Sequence, residues 1–300
     1  MRGLRCLVTG ASGFLGRHLL GALERAGAAE IAAWSRLPQP AGGPALWRRV
    51  DLEDRDAVES AFDATRPEVV FHLASLVTGR RELDLVVPAF RANLATTVHL
   101  LAAATRVGCR RIVLAGSMEE PDPGEPPASP YAAAKGAAAL YAALFHSLYG
   151  APAVTARIFM AYGPGQRDLA KVVPASILAA LEGRRPPISS GTRPVDWIHV
   201  ADVASGLLAL ATAPGVEGAT LDLGSGELVA VREVVERICR LAGVAGPEVG
   251  ALADRVGEPV RRADVEATFA ASGWRPRVGL DDGLRATLVW YRAERAAGRL

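Results

Sequence analysis

The first half of the chain alternates short, unbroken apolar runs with longer stretches whose apolar residues recur every three or four positions. The runs predict strands at Arg5–Thr9, Glu30–Trp34, Arg48–Val50, Val69–Leu73 and Arg111–Ala115. The longer period predicts helices at Leu15–Ala26, Asp54–Thr65, Pro88–Val107 and Tyr131–Tyr149, with a further strand at Val154–Phe159. Strand–helix–strand repeats at this spacing pair in parallel through right-handed crossovers, so the fold class is α/β with a doubly wound parallel sheet. Such sheets bind ligands at their carboxyl edge. The second half is less regular. Val172–Glu182, Val200–Thr212 and Val231–Ala242 read as helices and Thr220–Leu223 as a strand. Gly163–Pro174 and Gly183–Trp197, rich in Gly, Pro and Arg, read as binding loops. The expected division is residues 1–165 as a dinucleotide-binding domain and 166–300 as a smaller, interleaved substrate-binding lobe.

The first strand runs into Thr9-Gly10-Ala11-Ser12-Gly13-Phe14-Leu15-Gly16. Glycines at 10, 13 and 16 permit a tight turn, close approach of backbone to phosphate and close helix–strand packing. The free N–H groups of the following helix face the anion. This is the signature of a dinucleotide-binding Rossmann turn, with Ser12, Phe14 and Leu15 completing the loop. The second strand ends Trp34-Ser35-Arg36, with no Asp or Glu from Ile31 to Val50. An NAD site places a carboxylate there to grip the ribose hydroxyls, whereas Ser35 and Arg36 suit a 2′-phosphate. NADP(H) is therefore favoured, with NAD(H) the alternative. Asp51 and Leu52 follow the third strand, where a carboxylate can accept from the adenine amino group. Leu73, Ala74 and Ser75 follow the fourth and let the dinucleotide lie against the strand end. His72 reads as a packed histidine.

Tyr131 and Lys135 lie four apart and share one helix face. A neighbouring ammonium is expected to lower the phenol pKa, so that Tyr131 exchanges a proton with a substrate oxygen near neutral pH. Ser117, just past the fifth strand, is positioned to share that oxygen. Lys135 is also expected to bond the nicotinamide ribose.

Composition narrows the field. The chain has 300 residues, half of them hydrophobic, and a formal net charge of +2, too little to argue for nucleic acid or an anionic membrane. No segment reads as a membrane span, and the first strand starts without a signal peptide. Cys6, Cys109 and Cys239 have no metal or disulfide spacing, so no metal is expected and a reducing cytoplasm is the simplest compartment.

Together these residues resemble the extended short-chain dehydrogenases/reductases of the nucleotide-sugar epimerase/dehydratase family. Further matching residues are Asn93 with Thr97, Tyr162-Gly163-Pro164-Gly165-Gln166, Asp196-Trp197-Ile198-His199-Val200-Ala201-Asp202-Val203, Leu223-Gly224-Ser225-Gly226 and Ser272-Gly273-Trp274-Arg275-Pro276. The resemblance implies a catalytic set of Ser117, Tyr131 and Lys135 supported by Asn93, which also lies by the cofactor with Tyr131 and Lys135. It implies a nucleotide-sugar substrate touching Ser75 and Ser117, with Arg193 and Arg255 on its diphosphate. It further implies a homodimer paired through the helices near Pro88–Val107 and Tyr131–Tyr149. Departures from the family pattern are Trp34-Ser35-Arg36, Met160 in place of Asn, Arg193 two residues before Val195, and a short loop after Ser117 lacking Val-Tyr-Gly. Glu119, two residues after Ser117, has the spacing of the dehydratase base, but Glu119-Glu120-Pro121 also reads as a solvated loop. Epimerases and dehydratases return hydride to the same substrate and gain nothing from NADPH. The cofactor reading therefore selects an NADPH-dependent reductase of a keto group, plausibly C4 of a nucleotide-linked keto-deoxy sugar. An NAD-dependent 4-epimerase or dehydratase is the alternative, and a non-catalytic NADP sensor a remote one.

Overall fold

The computed structural model describes residues 1–36, 43–254, 257 and 260–300. In chain order the elements are β1 (Arg5–Thr9), α1 (Phe14–Arg25), β2 (Glu30–Ser35), β3 (Leu46–Arg49), α2 (Arg55–Thr65), β4 (Val69–His72), α3 (Val86–Ala89), a π-helical segment Phe90–Ala95, α4 (Thr96–Arg106), β5 (Arg111–Ser117), α5 (Pro130–Tyr149) and β6 (Ala153–Ile158). They continue as β7 (Met160–Tyr162), α6 (Val172–Leu181), β8 (Pro187–Ile188), β9 (Pro194–His199), α7 (Val200–Thr212), β10 (Thr220–Leu223), β11 (Leu228–Ala230), α8 (Val231–Ala242), β12 (Glu248–Val249), α9 (Val265–Ser272) and α10 (Leu280–Ala296). Two compact units form: Met1–Ile158 with Ala204–Asp222 and Glu266–Arg275, and Phe159–Val203 with Leu223–Val265 and Pro276–Leu300.

The first unit carries a seven-stranded sheet in the order β10-β6-β5-β4-β1-β2-β3. Pairings from β3 through β6 are all parallel. Central strands are buried on both faces, which explains their continuous apolar runs. The order reverses at β1, which pairs β2 on one side and β4 on the other. The crevice at the carboxyl ends of β1 and β4 is thus the topological switch point where such sheets bind ligands.

The expectation of no span-like segment needs correction. The helical stretch Leu83–Arg106 is 24 residues with a mean hydropathy of 1.3, long and apolar enough to cross a membrane by length and composition. Only its second part is used within the unit, where α4 packs on α2, α5 and β5 and buries Leu100, Leu101 and Ala104, while Leu83, Val86, Val87 and Phe90 are exposed.

In the second unit β9 pairs parallel to β7 and antiparallel to β11. Tyr162, Ile177, Trp197, Val234, Ile238, Leu284, Leu288 and Tyr291 form its core. The expected loop Gly183–Trp197 therefore contains β8 and the start of β9. Asp196, a charge in mid-strand, masked the pattern. It is fully buried, and its carboxylate accepts from Ser225 N (2.6 Å) and Oγ (2.8 Å), Gly226 N (3.0 Å) and Ala263 N (3.0 Å).

Candidate active site

The glycine turn stands directly over the end of β4. Leu73 N donates to Thr9 O at 3.2 Å, and Gly10 turns with φ +66°. A Cβ at Gly10 would come within 2.6 Å of Ala74 N and 2.7 Å of Leu73 C. A Cβ at Gly16 would press on Gly10 O and lie 2.6 Å from Ala11 Cα. The turn thus packs so closely on the end of β4 and on α1 that no side chain fits at 10 or 16, and its backbone forms a cradle at the N-terminus of α1, where Gly13 is the N-cap. That cradle fits a dinucleotide pyrophosphate. Ser12 and Ser35 bring their hydroxyls to 3.4 Å, which sets the end of β2 beside the turn. Arg36 is exposed, and Trp34 is buried edge-on against Phe62. Phe14 and Leu15 are half-buried. Asp51 is exposed and accepts from Glu53 N at 3.0 Å, whereas Leu52 is buried.

On the neighbouring strands, β5 ends at Ser117 and α5 begins one residue before Tyr131. Ser129 caps the helix by accepting from Ala132 N at 3.1 Å, and Pro130 presets its first turn. Tyr131 is buried, and the neighbouring Ser117 and Ser75 side chains act to lower its pKa. Ser75 is fixed in turn by Asn93. The Asn93 Oδ1 accepts from Ser75 Oγ (2.8 Å) and Leu76 N (2.8 Å), and its Nδ2 donates to Leu76 O (3.1 Å). Asn93 is fully buried within the π-helical segment, a local distortion common at functional sites.

Lys135 is buried, donates to Ala115 O at 2.7 Å and lies 5.9 Å from the Tyr131 ring centre. Burial lowers its pKa to about 8, with Glu120 opposing the shift. The expected lowering of the Tyr131 pKa is overturned: burial raises it, the charges of Glu119 and Glu120 add to the rise, and the Ser117 and Ser75 hydrogen bonds oppose it. Desolvation of a phenolate outweighs the neighbouring ammonium. His72 bridges Thr9 Oγ1 (2.8 Å) and Thr97 Oγ1 (3.2 Å), and burial, then Lys135, lowers its pKa to about 3. It is a neutral packed histidine, as expected.

The solvated reading of Glu119-Glu120-Pro121 fails at Glu120, which is 2% exposed. Its Oε1 accepts from Ser117 N at 2.8 Å and its Oε2 from Arg157 Nε at 3.2 Å, while Arg157 Nη1 reaches Asp222 Oδ1 at 3.3 Å. The available signal was Arg157 and Asp222, charges lying inside apolar strands. Glu119 is half-buried, and its N–H donates to Ser117 Oγ at 3.2 Å. Arg193 belongs to the second unit, half-buried just before β9. Arg255 lies outside the described residues. Among the described residues, no cluster of three His, Cys, Asp or Glu is arranged to hold a metal ion.

A glycine cradle, then, lies at the switch point of the sheet that also carries the serine–tyrosine–lysine set. The sequence pattern of the NAD dependent epimerase/dehydratase family matches residues 6–224. The chain belongs to that family. A dTDP-glucose 4,6-dehydratase of Actinoplanes sp. is 30% identical over 98% of this chain and 99% of the relative. An epimerase from Methanothermobacter thermautotrophicus superposes with a TM-score of 0.88 at 26% identity, covering 99% of this chain and 95% of that one. The Thermus thermophilus UDP-glucose 4-epimerase, solved with NAD, gives 0.84 at 30% identity, with 97% and 99% covered. Epimerase/dehydratase family membership makes the chain an oxidoreductase-type enzyme dependent on a pyridine nucleotide.

Proposed function

We propose that this chain is a nucleotide-sugar 4-epimerase working with a retained NAD. The observation that carries the reading is the buried set of Ser117, Tyr131 and Lys135, with the Lys135 ammonium 5.9 Å from the Tyr131 ring centre. A bound pyridine dinucleotide, held by Gly10, Ser12, Gly13, Gly16, Asp51 and Ala74, supplies hydride acceptance and return. Tyr131 is the group placed to exchange a proton with the sugar hydroxyl. Because burial raises its pKa, acting as the acceptor requires the positive charge of Lys135 and of a bound oxidised nicotinamide to offset that rise, and such a positioned acid–base group speeds the transfer by about 10²–10⁴. Ser117 and Ser75 hold the sugar oxygen, and Asn93 keeps Ser75 in place. Lys135 supplies positive charge behind the phenol. Arg193, and Arg255 with it, serve the substrate diphosphate, for which the guanidinium fork is suited.

The NADPH-dependent reductase reading rested on Ser35 and Arg36 together with the absence of Asp or Glu from Ile31 to Val50. An exposed arginine is weak support against relatives solved with NAD, so the epimerase/dehydratase reading takes precedence. The missing carboxylate after β2 supports tolerance of NADP rather than a switch to it. Dehydration is the second reading, favoured by Glu119, whose charge acts on Tyr131. Against it, Met118 is a buried thioether with no proton to give a leaving hydroxyl. A dimer is part of the proposal, because Leu83, Val86, Val87 and Phe90 beside α3, and Leu140 and Leu148 on α5, are exposed. The deciding experiment incubates the enzyme with UDP-glucose or dTDP-glucose and follows the sugar by NMR. The 4-epimer supports the proposal, a 4-keto-6-deoxy product selects dehydration, and NADPH consumption with a keto sugar as the sole activity refutes both. The dinucleotide released on denaturation is expected to be NAD.

A further inference from the structure

The Glu120 side chain and backbone together grip the residue that holds the reacting oxygen. Its Oε1 accepts from Ser117 N at 2.8 Å while its own N–H donates to Ser117 O at 3.1 Å. Both main-chain polar groups of Ser117 are thereby bound to one residue. The grip is anchored from behind by Arg157 on β6, itself tied to Asp222 on β10. The strand makes room for it: a Cβ at Gly116 would sit 2.5 Å from Glu120 Oε1 and 2.8 Å from Thr155 Cγ2. A buried carboxylate costs several kcal/mol to desolvate, and apolar replacement of such networks is often neutral or stabilising. Fold stability alone therefore does not account for a buried acid at this position.

We infer that Glu120 is a positioning residue, which fixes Ser117 through both of its main-chain groups from a buried carboxyl anchored on Arg157. The inference rests on Ser117, Tyr131 and Lys135 being the catalytic set. The charged and titratable groups facing it are Lys135 and Tyr131 from α5, Glu119 from the turn, Arg157 from β6, Asp222 from β10 and, through Lys135, His72 from β4. Burial pushes the Glu120 carboxyl up, with the Ser117 N–H, Arg157 and Lys135 opposing the rise; when ionised, it opposes the fall in the Lys135 pKa and adds to the rise in that of Tyr131. Removing its charge therefore lowers both.

Glu120→Gln keeps the shape and an acceptor for Ser117 N but loses the charge. With UDP-glucose and NAD as probes, the variant is expected to fold and to bind NAD within about threefold of the parent. Turnover should fall by roughly tenfold, as sub-ångström misplacement of a reacting group does, and the acid limb of the rate profile should move to lower pH. In the ¹⁵N-serine-labelled holoenzyme, the Ser117 amide signal should shift, a readout independent of the sugar. Unchanged turnover and pH limb, or an unmoved Ser117 amide, overturn the inference. So does a lower rate with a fixed limb, which marks a purely structural role. Tyr131→Phe separates the two levels: if it too keeps full turnover, the catalytic set itself is wrong.

Discussion

Replacing Gly16 by alanine sets two physical effects against each other. Alanine is favoured over glycine inside a helix by about 1 kcal/mol, so propensity alone predicts a more stable α1. The packing predicts the opposite. The new methyl would lie 2.6 Å from Ala11 Cα and 2.8 Å from Ala11 C, and against Gly10 O, all of them backbone atoms. Backbone cannot rotate aside, so α1 must retreat by about 1 Å to restore ordinary van der Waals contact. That retreat loosens Leu19 and Leu23, both fully buried, and overpacking of this kind costs about 1–3 kcal/mol or more. The net expectation is a loss of up to about 2 kcal/mol, which for a domain of this size lowers Tm by roughly 2–4 °C for each kcal/mol lost. Displaced N–H groups should also weaken NAD binding by about tenfold, equivalent to about one lost charge-assisted hydrogen bond. Differential scanning calorimetry and a fluorescence titration with NAD measure both quantities. A variant as stable as the parent, binding NAD equally well, would show that the turn is not packed as described.

Tyr131→Phe should fold and bind NAD normally while turnover falls by about 10²–10⁴; near-normal turnover removes Tyr131 from the chemistry. His72 has its pKa lowered to about 3 by burial. Below pH 6.5 the unfolded chain therefore binds a proton that the folded one refuses, and stability falls as pH drops toward 3, by up to about 1.4 kcal/mol per unit. His72→Gln should flatten that slope in urea melts between pH 7 and 5, and equal slopes would contradict the assignment. Arg36→Ala should weaken NADPH binding by about three- to tenfold, as befits an exposed charge, and leave NADH unchanged; equal effects on both would place Arg36 away from the 2′ position. On the proposed dimer, the parent should sediment as a dimer and Leu144→Arg, on the exposed side of α5, as a monomer; a monomeric parent would refute the dimer, and a variant of unaltered dimeric mass would move the interface elsewhere.

The parallel core was legible because strands buried on both faces leave an unbroken apolar signature; β1, α7, β10 and α8 begin and end where their patterns do. What escaped notice was polar burial. β9 was hidden by Asp196, whose hydrogen bonds come from three backbone N–H groups and the Ser225 hydroxyl, all distant in sequence, and so leave no local trace. Glu120 was hidden by an exposed-looking Glu-Glu-Pro, because its partners Arg157 and Asp222 are far away in sequence. The same blindness reversed the tyrosine argument: spacing showed an ammonium one turn away, but not the desolvation that outweighs it. The residue types of the site could be read locally, whereas their protonation depends on tertiary surroundings.

Each of the two units is assembled from three separate stretches of chain. No single cut yields either one, so the second unit cannot be exchanged between enzymes as a cassette in the gene. On the proposal that the second unit holds the sugar, a lineage that changes its sugar must do so by substitution in place, at positions strewn along the reading frame. The same weave makes truncation libraries uninformative, and directed evolution of specificity should draw on scattered point changes in Phe159–Val203, Leu223–Val265 and Pro276–Leu300.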